Sequence, residues 1–203
     1  MSHIKWLGII KDDLGRYQQG NLPARAKKMD MPEDMDELMI KAIPFQLIAI
    51  VIITVSVFVK VSLTKEFPFT PISVVIGFVI GFPSMIIHEL LHAIVFPKEA
   101  TVYVGIYPKS FAAVALSSCP LKRWRFVLMS LLPIVLGIVP ITLFLVLPAE
   151  LKVVNGIMLG MSMMGLTSPA VDFYNVYKVF RETPRGCILQ FHGDCLYYYG
   201  EEN

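Results

Sequence analysis

The chain of 203 residues is 55% hydrophobic and only 17% charged, with a mean hydropathy of +0.62, whereas a soluble domain of this size carries roughly a quarter charged residues. That bias excludes a disordered chain, a disulfide-rich secreted fold and a nucleic-acid binder as leading readings. A net charge of +2 is too small for its sign to identify a partner, and a small integral membrane protein remains.

Residues 1–41 balance seven basic against seven acidic side chains. Within them Asp30-Met31-Pro32-Glu33 reads as an N-cap with an acidic first turn, leading into Met35, Leu38 and Met39 at helical spacing. A short interfacial helix fits this stretch, and a solvated linker fits it almost as well. Ala42–Val59 is then an uncharged run of 18 residues between Lys41 and Lys60. Phe67–Ile87 gives 21 more and continues past His88, Glu89 and His92 to Phe96, where Pro97 and Lys98 stop it.

Thr101–Ile106 and Phe111–Leu116 are β-prone runs around Tyr107-Pro108-Lys109-Ser110, and this pattern predicts a hairpin. Its edge would suit an extended peptide, or the hairpin would serve simply as a cap. Lys122-Arg123-Trp124-Arg125 reads as an interfacial anchor. Phe126–Ala149 supplies 24 apolar residues, and Val153–Val171 supplies 19 before Asp172 interrupts a run that resumes as far as Lys178. Each run approaches the roughly 20 residues a helix needs to cross hydrocarbon. The prolines and Gly137 in the third are tolerated in membrane helices.

The expectation is therefore an all-α membrane protein: four transmembrane helices over residues 42–180, with a short β-hairpin between the second and third. Residues 1–41 form an N-terminal segment and 181–203 a tail without an assignable role. Four spans place 15 of the 18 lysines and arginines on one side, so the positive-inside rule puts both termini in the cytosol of a multi-pass cell-membrane protein. Cys119, Cys187 and Cys195 would then be reduced thiols. A metal site from Cys187, His192, Asp194 and Cys195 matches no established zinc spacing.

His88-Glu89-Leu90-Leu91-His92 lies inside the second span. Four residues between the histidines put both imidazoles on one helix face, one turn apart, where they can share a zinc ion. Glu89 stands beside the first histidine, placed to take a proton from water, the division of labour of a His-Glu-x-x-His metallopeptidase helix. A chance match is the plain alternative, but ionisable groups within a span are costly and normally mark function.

A catalytic zinc usually has three protein ligands. Val95 and Lys98 occupy the positions where extended motifs carry the next residues, and Glu99 follows Pro97 in a loop. Asp172, the only acid of the fourth run, is the better third ligand. Like His88 it lies eight residues before the expected cytoplasmic end of its span, about 12 Å deep at 1.5 Å per residue. Pairing with Lys178 or with a histidine, without metal, is the alternative. Pro83 and Pro169 flank the site, as kinks that open a cavity or as ordinary membrane-helix prolines. Asn175, one turn after Asp172, would hold substrate or pack between helices.

The pattern resembles the intramembrane zinc metalloproteases of the site-two protease class. It is more closely similar to a zincin-peptidase family of small bacterial four-span membrane proteins without assigned function. The motif His88–His92, the entry Ser118–Arg125 to the third span and Ser168-Pro169-Ala170-Val171-Asp172 carry the likeness across most of residues 40–180. It implies His88, His92 and Asp172 as zinc ligands and Glu89 as general base. Where the larger class has Asn-Pro and a glycine after the aspartate, this chain has Ser168 and Phe173. The expected activity is zinc-dependent cleavage of a membrane protein or peptide, in or near the bilayer at its cytoplasmic side, with no nucleic-acid partner. A non-catalytic zinc-binding scaffold, a metal or proton transporter and a hydrolase of lipid-linked amides or esters are the competing readings.

Overall fold

The computed structural model describes residues 2–11, 13–110 and 112–200. In chain order the elements are β1 (His3–Ile9), β2 (Lys27–Lys28), α1 (Met35–Thr64), α2 (Pro71–Gly81), α3 (Ser84–Val95), β3 (Thr101–Tyr107), β4 (Ala112–Leu116), β5 (Leu121–Lys122), α4 (Arg123–Leu131), α5 (Val135–Val146), α6 (Lys152–Thr167), α7 (Ala170–Glu182), β6 (Ile188–His192) and β7 (Cys195–Tyr199). They fall into two compact units. One takes the chain up to Lys41, Glu89–Leu132 and everything from Val171 onward; the other takes Ala42–His88 and Pro133–Ala170.

The first unit is built on two sheets. β1 pairs parallel with β3, and β3 pairs antiparallel with β4, in the order β1-β3-β4. The expected hairpin is thus the heart of a three-stranded sheet, and Phe111, the first residue of its second expected strand, lies outside the described residues. The second sheet runs β2-β7-β6-β5. Its hairpin turns at Gly193 with φ +58°, a backbone conformation that glycine adopts without steric cost. Val102, Val104, Phe126, Val179 and Leu189 share one core with Ala93 and Phe96 from the end of α3. The C-terminal half of the His-Glu-x-x-His helix is therefore anchored by a mixed α and β core.

The second unit is helical. α2 and α6 lie against each other through small residues. A Cβ on Gly160 would stand 2.1 Å from Val74 O, and one on Gly77 would stand 2.2 Å from Ile157 O. Ala49, Ile53, Ile141, Phe144, Leu159 and Leu166 fill the core. Lys60, which bounds the first apolar run, lies within a helix. α1 continues to Thr64, and the buried Lys60 ammonium donates to Phe144 O, Leu147 O and Asn155 Oδ1. These bonds satisfy carbonyls left open at the end of α5.

The structure corrects the all-α, four-span expectation. The described residues hold seven strands in two sheets. Among the described residues two helical stretches, Met35–Thr64 and Arg123–Val146, are long and apolar enough to cross a membrane, and the α2–α3 pair, bent by 42°, makes a third only if it is counted as one span. The cause is proline. Pro83 divides the second apolar run into α2 and α3, and Pro169 divides the fourth into α6 and α7, because its ring removes an amide donor and clashes with the preceding turn. At 16 residues, α6 falls short of the roughly 20 needed to cross hydrocarbon.

Candidate metal centre

α3 starts directly after Phe82-Pro83, with Met85 N and Ile86 N bonded to Phe82 O and Pro83 O. Proline suits such a start, since its missing N–H would be unsatisfied there in any case. The helix presents His88 and His92 on one face, and both are buried, as is Glu89 between them. The unit boundary falls between His88 and Glu89, but α3 is continuous across it, so helical geometry fixes His88 against His92.

Asp172 comes from elsewhere in the chain. Pro169 breaks the fourth apolar run, and α7 restarts at Ala170 with Asp172 in its first turn. A carboxylate is favoured at that position by the helix dipole and by open backbone amides. One ligand atom from each of His88, His92 and Asp172 lies within 4.8 Å of the others, and no other such group of His, Cys, Asp or Glu occurs among the described residues. His92 Nε2 is 3.4 Å from Asp172 Oδ1. Two ligands on one tetrahedral zinc, with bonds of about 2.0–2.1 Å, stand about 3.3–3.4 Å apart, so the pair fits that ion.

The donor chemistry fits as well. His92 Nδ1 lies 2.8 Å from Met129 O. A carbonyl only accepts, so Nδ1 carries the hydrogen, and whenever the ring is neutral its lone pair is at Nε2, on the carboxylate side. This is the usual outer bond of a metal-binding histidine. Two imidazoles and a carboxylate leave a tetrahedral ion one open position, as catalytic zinc requires.

Asn175 lies in α7, and its Oδ1 is buried without a hydrogen-bond partner among the described residues. Glu99 is exposed and outside the ligand group. The tail residues do not gather into a metal site: Cys187 is in the core of the first unit, and His192 Nδ1 is 2.8 Å from Gly20 O. Burial pushes the Cys119 thiol above its ordinary value, which disfavours the thiolate. The Met129 carbonyl had no signal in the sequence, because a backbone acceptor has no residue type.

The described residues thus combine helices long and apolar enough to cross a membrane with a two-histidine, one-carboxylate group able to hold a metal ion. A family model described as "Putative zincin peptidase" matches residues 81–188, a segment that contains all three residues of that centre and Glu89. The chain belongs to this family. No curated protein and no solved structure matches it.

Proposed function

We propose that the protein is a zinc-dependent endopeptidase that cuts a peptide bond in or near the membrane, close to its cytoplasmic face. The approach of His88, His92 and Asp172, with buried Glu89 on the same helix turn, carries this reading. His88, His92 and Asp172 would hold the metal, and the Met129 carbonyl keeps the His92 ring in the ligating tautomer. Zinc bound there would polarise the scissile carbonyl and make a water easier to deprotonate.

Glu89 takes the proton from that water as it attacks the carbonyl carbon. The same carboxyl group then passes the proton to the departing amine, so one water is consumed for each bond cut. Asn175 Oδ1, buried and without a hydrogen-bond partner among the described residues, is available to accept a substrate amide. β4 is an edge strand of its sheet, and its open side suits an extended peptide held by main-chain hydrogen bonds.

Glu89→Gln tests the assignment. The variant should retain one zinc per chain and lose at least about 100-fold in cleavage of a membrane-anchored substrate. Cleavage at the wild-type rate would overturn the reading. Retained zinc without any Glu89-dependent product from the wild type would identify a zinc-binding scaffold instead.

A further inference from the structure

One short helix reaches both elements that carry the proposed ligands. The last four carbonyls of a helix have no partner within it. In α3 two of these are taken from elsewhere in the first unit: Ser2 Oγ donates to Ala93 O at 2.7 Å, and Arg125 Nε donates to Val95 O at 2.6 Å. One turn beyond Arg125 on α4, Met129 O accepts the Nδ1 hydrogen of His92 at 2.8 Å. Positions 125 and 129 share a face of α4, and positions 92 and 95 share a face of α3. Two bonds between the same pair of helices fix both the rotation and the height of α3.

α4 treats α7 in a similar way. Arg123 Nη2 lies 3.4 Å from Val179 O and from Phe180 O, with the guanidinium 4.8 Å from the centre of the Phe180 ring. A cation at a helix C-terminus has the favourable sign. The basic stretch that reads from sequence as a headgroup anchor thus divides its labour. Trp124 stays exposed, while Arg123 and Arg125 close the ends of the aspartate helix and the histidine helix.

We propose that Arg125 is a positioning residue for the metal centre: through Val95 O it holds α3 where His92 Nε2 faces the Asp172 carboxylate. This rests on the zinc reading above. The test uses the purified full chain in detergent, zinc affinity by chelator competition, and the visible spectrum of the cobalt-substituted protein. R125M keeps an unbranched side chain and removes the donor; R125K restores donor and charge.

R125M should bind zinc about 10–100-fold more weakly than wild type and lose intensity in the cobalt bands of a four-coordinate site, and R125K should recover most of both. Should R125M fail to fold, R125L, which also lacks a donor, takes its place with the same outcomes. Wild-type affinity and an unchanged cobalt spectrum in the donor-deleted variant would overturn the proposal alone. A wild-type protein that binds no zinc would instead remove the functional reading, and this inference with it.

Discussion

Asp172 is the residue on which the two readings of the site divide. As an ion pair with His92 it needs no metal, and its 3.4 Å contact would be a salt bridge. As a ligand it completes a donor set that two histidines leave short. Asp172→Asn separates them, since the amide keeps shape and hydrogen bonding but loses the anionic donor. Under the zinc reading its affinity falls by more than the roughly 10–100-fold that outer partners cost, as read by chelator competition. Unchanged zinc content in Asp172→Asn would leave only the ion pair. The histidines were legible in the sequence because a spacing of four is decided by the helix itself. Asp172 stood out as a lone acid in an apolar run, but equal depth in two spans is not how it reaches the histidines. Pro169 ends one helix and begins another, and the aspartate sits in the first turn of the new one.

At the scale of elements, apolar runs report composition and conceal breaks. The runs at 42–59 and 126–149 correspond to stretches long enough to cross a membrane, while those at 67–96 and 153–178 are each cut by a proline. The β6–β7 hairpin carried a readable signal, Gly193-Asp194 between Ile188–His192 and Cys195–Tyr199, within a tail that hydropathy passes over. Gly156 and Gly160, four apart on α6, carry the small-residue pattern by which helices approach closely, and α6 uses it against α2. Because a Cβ on Gly160 would meet backbone oxygen, α2 and α6 have to separate to admit it. Gly160→Ala should therefore destabilise the fold by about 1–3 kcal/mol, measured by unfolding in mixed micelles. Gly200→Ala, where nothing lies within 4 Å of the added carbon, is the control and should match wild type. Equal stability of the two variants would contradict the close helix contact.

The whole molecule combines a helical unit with a unit of mixed strands and helices, and mean hydropathy describes only the first. Exposed apolar side chains such as Leu47, Val51 and Phe58 line α1, a surface that lipid contact would cover. Membrane pellets washed with alkaline carbonate should therefore retain the protein, and its release into the supernatant would argue against a spanning α1. A metal held there would link the site to global stability. Its donors lie far apart in the sequence, two on α3 and one on α7, so the unfolded chain offers at most the histidine pair. An ion that binds the folded state selectively stabilises it by about 2.7 kcal/mol at 100 times its dissociation constant. Thermal unfolding in detergent should accordingly shift upward with zinc and downward with chelator. The gain should vanish in a His92→Ala, Asp172→Ala double variant and persist in Glu89→Gln, whose ligands are intact. That pattern separates holding the metal from using it. A transition unmoved by zinc in the wild type would show that the folded chain gains no site that the unfolded chain lacks.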